Sequence, residues 1–360
     1  MNQQDRYFVQ ICPHDSPPFG ELCQAYAESA EMAGFTAVTM FLSKPLAEPV
    51  NKAIYLEADN VKSARRVSQA LKAQLPEGLD DTKLSIVLCH RYRSLKVALW
   101  AGLPKRKTVC LAHEYGLFDS NIRRWLRPLF AKHVHFAGVS NDVARELADI
   151  TDYHMVLPNV LTQKTCLSRE DAHAELGLSD DVVAIGVVGR LHYKKRPQKA
   201  LEAVQALRES TPNAELVFLG DGDRDLLGEL PGWVHLPGNI PDASRYMKAF
   251  DVLLHVGDVE SFGMVILEAM AAGTPSVVGR FPGPEYVLGD LGYYADQDDA
   301  RSFASALQNA LSNNDIEGWA DQARERIDKK FSVAVTSKRI AALAEFVAED
   351  ENVGVGDFSF

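Results

Sequence analysis

The chain has 360 residues, of which 46% are hydrophobic and 24% are charged, and its formal net charge is −11. This composition is typical of globular proteins and excludes collagen-like or extensively disordered chains, while the negative charge argues against a general nucleic-acid binder. A length of 360 residues favours two domains, at roughly 100–200 residues each. No apolar run approaches the roughly 20 residues that a membrane-spanning helix requires.

Strand-like and helix-like segments alternate over the first 160 residues. The pattern predicts strands at 6–12, 35–42, 53–57, 84–90, 108–112 and 134–139, and helices at 21–33, 60–74, 94–101, 122–133 and 142–150. A loop rich in proline, residues 13–20, joins the first strand to the first helix. Such alternation predicts a parallel sheet that is covered by helices on both faces.

A second series of elements follows a polar linker at residues 160–180. Residues 182–188 form an apolar run that is typical of a central parallel strand. Further strands are predicted at 215–219, 234–236, 252–256 and 275–278, and helices at 198–210, 243–250, 263–272, 300–312 and 332–348. The chain therefore reads as two Rossmann-like domains with a cleft between them, in which ligands bind beyond the carboxyl ends of the strands.

The start of the predicted helix at 263–272 has the features of an anion site. Gly263 permits a close backbone approach there, and the first backbone N–H groups of a helix have no partner within it. Together with the helix dipole they suit a diphosphate. The residues that would supply or flank these groups are Ser261, Phe262, Gly263, Met264 and Val265.

Two carboxylates flank this helix start. Glu260 lies in the preceding loop, and Glu268 lies about 7–8 Å further along the helix axis, at 1.5 Å per residue. At this separation each can accept hydrogen bonds from hydroxyls at a different end of one extended ligand, such as a sugar and a ribose joined by a diphosphate. A charge at Glu268 among apolar neighbours would be costly to bury without a partner.

Basic residues follow the predicted central strand. Arg190 stands at its carboxyl end and Lys195 lies five residues later. A guanidinium and an ammonium both suit diphosphate oxygens. We expect Lys194 to be solvated, whereas for Arg196 a solvated and a functional role both remain open.

Asp221-Gly222-Asp223 spells a D-x-D pattern, which binds metal in some glycosyltransferases. It follows a predicted strand, and Gly222 suits a turn that needs a positive φ. We therefore interpret it as a turn and expect no catalytic metal.

Polar residues also follow strands of the N-terminal half. His90 and His113 each end a predicted strand, and Glu114 and Gly20 lie beside such ends. A histidine there can hydrogen-bond a sugar hydroxyl, and a glycine lets a loop approach a ligand. The alternatives are a structural histidine and a simple turn before a helix.

A basic and aromatic segment covers residues 105–132. A helix that packs its aromatic side chains inward and solvates its arginines is the favoured interpretation. Contact with anionic lipid or with a phosphorylated acceptor is the alternative. The five cysteines, at 12, 23, 89, 110 and 166, form no C-x-x-C pair, so we expect reduced thiols and a cytoplasmic chain.

Glu260 and Glu268, with seven residues between them, resemble the E-x7-E signature of retaining GT-B glycosyltransferases, in particular of glycosyltransferase family 4. The sequence E-S-F-G-M-V-I-L-E-A-M-A-A-G-T-P is similar to that family's E-G-F-G-x-x-x-x-E-A-M-A-x-G-x-P. Other segments agree in chain order, namely P-P-F-G at 17–20, V-L-P-N at 156–159, G-R-L with Lys195 at 189–195, and F-S at 331–332.

The resemblance implies a GT-B fold. Its N-terminal, acceptor-binding domain would cover residues 1–160, and its nucleotide-sugar domain residues 161–330. A crossover helix at 331–349 would return to the N-terminal domain, before a mobile tail at 350–360. It also implies catalytic roles for His113, Arg190, Lys195 and Glu260, with His90 and Glu114 near the acceptor. The implied donor-binding residues are Gly20, Arg190, Lys195, Glu260, Ser261, Phe262, Gly263, Met264, Val265 and Glu268.

The activity that follows from the resemblance is transfer of a sugar, with retention and without metal or other cofactor. The donor would be a nucleoside diphosphate sugar, with a UDP-sugar favoured, and the acceptor a glycan or lipid-linked glycan of bacterial surface polysaccharide or lipopolysaccharide core synthesis. Peripheral contact with the inner membrane is compatible with this function. The alternatives are a GT-B nucleotide-sugar epimerase and a non-catalytic partner subunit that binds nucleotide sugar.

Overall fold

The structure, a computed structural model, describes residues 6–46, 48–58, 63–120, 133–148, 155–162 and 165–349. The chain divides into two compact units, one formed by Met1–Thr162 with Asp328–Phe360 and the other by Gln163–Ile327. The tail at 350–360 and most of the predicted helix at 122–133 lie outside the described residues, as does the aromatic part of the basic segment.

The N-terminal unit contains a parallel sheet of six strands, in the order β3-β2-β1-β4-β5-β6. The strands are β1 (Tyr7–Cys12), β2 (Thr36–Phe41), β3 (Ile54–Tyr55), β4 (Leu84–His90), β5 (Thr108–Ala112) and β6 (His135–Gly138). The described helices of this part are α1 (Phe19–Met32), α2 (Ala64–Gln74), α3 (Arg91–Trp100) and α4 (Asn141–Ala148). The strand order reverses between β1 and β4, and ligands bind at such switch points in open α/β sheets.

The C-terminal unit repeats this design with the strand order β12-β11-β10-β7-β8-β9. Its strands are β7 (Val183–Val188), β8 (Ala214–Leu219), β9 (Val234–Gly238), β10 (Val252–His255), β11 (Ser276–Gly279) and β12 (Tyr293–Ala295). Its helices are α5 (Arg169–Leu176), α6 (Pro197–Leu207), α7 (Met264–Ala272), α8 (Pro282–Leu288), α9 (Ala300–Leu311) and α10 (Ile316–Lys330). The central position predicted for the apolar strand β7 is confirmed.

The last described helix, α11 (Val333–Glu349), belongs to the N-terminal unit, where it packs against α1 and β4. The backbone carbonyl of Phe331, just before this helix, accepts a hydrogen bond of 2.9 Å from the N–H of Leu161. The ring of Phe346 meets that of His135 at 5.1 Å between centroids. The predicted return of the C-terminal helix to the N-terminal domain is thereby confirmed.

Within the described part of the chain, the sequence analysis did not predict helices α8 and α10 or strand β12. Helix α8 begins with Pro-Gly-Pro, which signals a turn, although proline is also well suited to a first helical turn. Helix α10 buries a narrow stripe of Trp319, Ala320, Ala323 and Ile327, while its remaining surface is largely charged. In addition, the helix predicted at 243–250 is a 3₁₀ helix, Ala243–Ala249.

The core of the C-terminal unit lies between its sheet and helices α6 and α9, which contribute Val204, Leu207, Phe303 and Leu307. Within the described residues, no helix combines the length and apolar composition that crossing a bilayer would require.

Close packing around β7 gives a test of this fold. A Cβ atom at Gly186, in the middle of β7, would lie 2.3 Å from Cδ2 of Phe250. Phe250 is only 3% exposed, so its ring has little room to move. We expect Gly186→Ala to lower the free energy of unfolding by about 1–3 kcal/mol, the usual cost of overpacking a core. Urea denaturation measures this change.

The matched control is Gly232→Ala, because a Cβ atom there meets nothing within 4 Å. Equal unfolding free energies for the two variants would contradict the packing described around β7.

Candidate active site

Three side chains meet at the carboxyl edge of the C-terminal sheet. Lys195 ends a 3₁₀ turn that follows β7, His255 is the last residue of β10, and Glu260 lies in the loop before α7. The Lys195 Nζ lies 2.9 Å from Glu260 Oε2, and His255 Nε2 lies 3.2 Å from the same oxygen. The structure therefore brings two of the predicted site residues into direct contact.

The carboxyl group of Glu260 is ionised in this setting. Its side chain is 17% exposed, and burial alone would raise its pKa. The hydrogen bond from His255 and the charge of Lys195 outweigh burial and hold the pKa well below its ordinary value of 4.5. Glu260 is therefore a negatively charged hydrogen-bond acceptor that holds the ammonium group of Lys195 in place.

His255 is the functional candidate that the sequence analysis missed. It interrupts the apolar run Val-Leu-Leu-His-Val, where it looked like part of a buried strand. Its side chain is 5% exposed, and its Nδ1 has no hydrogen-bond partner among the described residues. One feature of the sequence could have identified His255: it is a titratable residue at the carboxyl end of a predicted strand, next to the predicted anion site.

Arg190 follows β7 and is exposed, and the described residues offer it no ion pair or side-chain hydrogen bond. A small pocket beside it is lined by Arg190, Lys195, His255 and Val265, among others. This pocket joins the ends of β7 and β10 to the first turn of α7. The predicted cations and the predicted helix start therefore border one pocket within the C-terminal unit.

The start of α7 has the predicted backbone form. Gly263 precedes the helix with a φ of 100°, a region that glycine adopts readily. Its carbonyl accepts hydrogen bonds from the N–H groups of Ile266 and Leu267, both at 3.1 Å. Met264 and Val265 lie in the first turn, where backbone N–H groups have no acceptor one turn earlier.

The other predicted donor residues differ in their surroundings. Phe262 is 2% exposed and its ring lies 6.2 Å from that of Tyr286, so its side chain belongs to the core and only its backbone can serve a ligand. Ser261 and Glu268 are half-buried. Glu268 is thus more accessible than its apolar neighbours suggested, because its face of α7 reaches the surface.

Lys194 and Arg196, the two other basic residues of this segment, have different surroundings. Lys194 is exposed. Arg196 donates to Asp258 at 3.0 Å, to Asp298 at 3.0 Å and to the carbonyl of Gln297 at 2.8 Å. Its guanidinium group therefore links the loop that contains Asp258 to the loop that contains Gln297 and Asp298. These contacts indicate a structural role for Arg196.

The turn predicted at Asp221-Gly222-Asp223 is wrong, because Gly222 pairs with Leu191 as an isolated parallel bridge in extended backbone. The positive φ expected of Gly222 is present, at 147°. Asp221 Oδ1 accepts from the N–H of Gly222 at 2.8 Å, and Asp223 Oδ1 accepts from the N–H of Asp225 at 3.2 Å. Both carboxylates thus bind their own backbone. Among the described residues, no cluster of three or more His, Cys, Asp and Glu side chains could hold a metal ion.

A pair of neutral histidines lies in the N-terminal unit. His90 Nδ1 is 2.9 Å from His113 Nε2, and His90 Nε2 is 3.2 Å from Gln10 Oε1. Burial, reinforced by the charge of Arg91, lowers the pKa of His90 to about 3. Burial, followed by the influence of His90 and Arg91, also lowers the pKa of His113. Because an amide oxygen only accepts, His90 donates to Gln10 and accepts from His113.

Two predictions for this unit need correction. His90 is 0% exposed and both its ring nitrogens are bonded, so it orients His113 and does not contact an acceptor. Gly20 lies in the first turn of α1 and not in a loop. A Cβ there would come within 2.8 Å of the Asp15 carbonyl oxygen, so its small size serves packing against the chain itself. Glu114 is exposed and pairs with Arg91 at 3.1 Å.

Residues 168–330 match the protein family described as glycosyl transferases group 1. A phosphatidyl-myo-inositol mannosyltransferase of Mycobacterium leprae is 31% identical over 78% of this chain and 78% of its own length. The lipopolysaccharide core biosynthesis glycosyltransferase LpsE of Rhizobium meliloti is 32% identical over 48% of this chain and 52% of its own length. The chain spans about half the length of several of the relatives that it matches.

A solved glycosyltransferase structure from Rickettsia africae superimposes with a TM-score of 0.76 at 16% identity, covering 96% of this chain and 99% of that one. At this level of identity the likeness concerns the fold. It confirms the predicted two-domain GT-B architecture.

The low pKa of Glu260 leads to a prediction about acid stability. A carboxyl group whose folded-state pKa is depressed stabilises the fold above its unfolded-state pKa, and this contribution is lost as the pH falls through the folded-state value. We therefore expect the wild type to exceed Glu260→Gln in unfolding free energy by a constant amount above about pH 5.5. The difference should shrink as the pH falls below 4.5. Urea denaturation at a series of pH values from about 7 down to about 3, on both sides of the unfolded-state pKa, measures it.

Glu317→Gln, which changes an exposed glutamate in α10, is the matched control and should show no such trend. A difference between wild type and Glu260→Gln that does not change with pH would contradict the depressed pKa.

Proposed function

The chain belongs to the glycosyl transferases group 1 family, and on this premise we propose that it is a retaining, metal-independent glycosyltransferase of family 4 type. It takes a sugar from a nucleoside diphosphate sugar, with a UDP-sugar favoured, and delivers it to a hydroxyl of a glycan or glycolipid. The observation that carries this proposal is the Lys195–Glu260–His255 cluster beside Arg190. It places two cations at the strand ends of the predicted nucleotide-sugar domain.

Charge stabilisation of the leaving group is the main catalytic device in this proposal. As the glycosidic bond breaks, negative charge grows on the diphosphate, and Arg190 and Lys195 neutralise it. Backbone N–H groups at the start of α7 add further donors. The acceptor hydroxyl attacks from the face that the diphosphate leaves, and a diphosphate oxygen takes up its proton.

The acidic residues bind hydroxyl groups. Glu268 accepts hydrogen bonds from the ribose, and Glu260 accepts from the sugar while keeping the Lys195 ammonium aligned. In the N-terminal unit, the Nε2 of the neutral His113 donates to His90, and His113 is also hydrogen-bonded to Asn159. A substrate hydroxyl would bind His113 in place of Asn159.

The acceptor is proposed to belong to lipopolysaccharide core or another bacterial surface glycan. Support comes from LpsE, whose name places it in lipopolysaccharide core biosynthesis. All five cysteines are free, which supports a cytoplasmic site of action. Peripheral contact with the inner membrane is part of the same proposal.

Two alternative functions, a nucleotide-sugar epimerase and a non-catalytic subunit, can be distinguished from a transferase. An epimerase would convert the donor without an acceptor, so product analysis in the absence of acceptor identifies it. A non-catalytic subunit would be expected to lack Arg190, Lys195 or Glu268, and all three are present.

The roles of the basic residues give the direct test of this proposal. After a thermal-shift screen of UDP-, GDP- and ADP-sugars has identified the donor, kcat is measured for single alanine variants. We expect Arg190→Ala and Lys195→Ala each to lower kcat by about 10²–10³, because their contacts strengthen as the leaving group becomes charged. The two losses should not add, since both residues serve one diphosphate.

Lys194→Ala is the matched control, because Lys194 is exposed next to Lys195. Melting temperatures accompany the rates, since Lys195→Ala removes a partner of the half-enclosed Glu260. Equal loss of kcat in Lys194→Ala and Lys195→Ala, or unchanged rates in all variants, would refute the proposed diphosphate site.

Metal independence is tested separately. The carboxylates of Asp221 and Asp223 bind their own backbone, and the charge of the diphosphate is assigned to Arg190 and Lys195. We therefore expect the transfer rate to be unchanged in excess EDTA. A loss of activity that Mg²⁺ or Mn²⁺ restores would show that the D-x-D segment binds metal.

A further inference from the structure

Arg91 has a backbone conformation that an arginine seldom adopts. It is the first residue of α3, directly after β4, and its φ is 69°. This is the left-handed region, which is unfavourable for residues with a Cβ and normally taken by glycine. Such outliers concentrate at ligand sites, where the surrounding structure maintains them. A glycine would fit this backbone better, so the arginine side chain itself calls for an explanation.

The guanidinium group of Arg91 is held over an aromatic ring. Its Cζ lies 4.7 Å from the centroid of the Phe19 ring. The Phe19 ring is also in T-shaped contact with the rings of His14 and His113, with centroid distances of 5.3 and 5.1 Å. The Phe19 ring therefore contacts the guanidinium group and both histidines.

The donors of this guanidinium group are only partly used. Nη2 lies 3.1 Å from Glu114 Oε1, but the Glu114 side chain is 66% exposed, and exposed ion pairs are weak. Nε, which shares an edge with Nη2, is buried and has no hydrogen-bond partner among the described residues. This edge matches the two oxygens of one anion, and a buried donor without an acceptor is costly.

The position in the sheet points to a ligand site as well. His14 follows β1 and Arg91 follows β4, the adjacent strands between which the strand order reverses. Arg93 lies on the same turn of α3 and donates to the carbonyl of Ala58 at 3.2 Å. Burial, and then the charges of Arg91 and Arg93, lower the pKa of His14, against an opposing influence of Asp15. The charges of Arg91 and Arg93 therefore both act on His14 near the switch point.

We propose that Arg91 anchors a phosphate group of the acceptor at the switch point of the N-terminal sheet, with the Nε–Nη2 edge binding two phosphate oxygens after Glu114 has been displaced. Two nearby guanidinium groups suit the double charge of a phosphate monoester better than the single charge of a carboxylate. The Asp15 carboxylate accepts hydrogen bonds from the Tyr55 hydroxyl at 2.9 Å and from the Leu46 N–H at 3.2 Å, which direct its oxygens toward these donors. The assignment of this phosphate to an acceptor rests on the proposed function.

The test is a calorimetric titration of the full chain saturated with UDP, so that the proposed diphosphate site is occupied. The probes are inorganic phosphate, glucose 6-phosphate, glucuronate, and phosphatidylcholine vesicles with and without phosphatidic acid, whose phosphate is a monoester. Arg91→Gly removes the side chain and suits the left-handed backbone. Arg66→Ala, which changes an exposed arginine of α2 in the same unit, is the matched control.

We expect Arg91→Gly to weaken phosphate binding by at least about tenfold, as the loss of a charge-assisted hydrogen bond predicts, without lowering the melting temperature. Arg66→Ala should change the affinity less than twofold. Binding of glucose 6-phosphate identifies a soluble or glycan phosphate, and binding of vesicles that contain phosphatidic acid, without binding of glucose 6-phosphate, identifies a lipid phosphate. Both results support the site.

Three results would overturn the proposal: no phosphate probe binds the wild type, Arg91→Gly binds as tightly as the wild type, or glucuronate binds in place of the phosphates. A lower melting temperature of Arg91→Gly would also overturn it, because the conformation would then serve the fold. If none of UDP, GDP and ADP binds, the proposed function fails. The titration is then repeated without UDP, and its dependence on Arg91 still decides this inference.

Discussion

The candidate site of the C-terminal unit depends on one ionic contact, that between Lys195 and Glu260. A carboxylate that is largely removed from water must be compensated, and here an ammonium and an imidazole share one of its oxygens. His255 ends β10, and Lys195 ends the 3₁₀ turn that follows the adjacent parallel strand β7, so the sheet brings both residues to the same edge. The contact holds a cation at the sheet edge in a defined place before any substrate arrives.

Both units carry polar residues at the carboxyl ends of parallel strands, but these residues are charged in one unit and neutral in the other. In both, side chains that follow parallel strands gather at one edge of the sheet. In the C-terminal unit this edge carries Arg190 and an ionised Glu260. In the N-terminal unit burial keeps His90 and His113 neutral. The first arrangement suits a charged diphosphate, and the second suits hydrogen bonds to hydroxyl groups.

Elements with a strong hydrophobic pattern could be predicted from sequence, and so could the residues next to them. Strands β4 and β5 begin and end where predicted, and β7 lies at the centre of its sheet. That position could be predicted because the whole strand is apolar. Arg190 and Lys195 could be predicted as site residues because they come after that strand in the sequence. Helix α10 could not be predicted in this way, because its buried stripe is narrow and half of it is alanine.

Side-chain partners could not be predicted, since they depend on residues that are distant along the chain. His255 looked like part of an apolar strand, and its contact with Glu260 appears only when the loop before α7 folds back. Gly20 was assigned to a loop because nothing local shows that the Asp15 carbonyl occupies the space beside it. Arg91 was overlooked for a similar reason, because its left-handed backbone has no sequence signature.

The measurement that tests the central claim most directly is a crystal structure of the protein with bound UDP. The account predicts diphosphate oxygens within hydrogen-bonding distance of the Arg190 guanidinium and the Lys195 ammonium, with the ribose hydroxyls on Glu268. A diphosphate bound elsewhere, with no contact to Arg190 or Lys195, would contradict it.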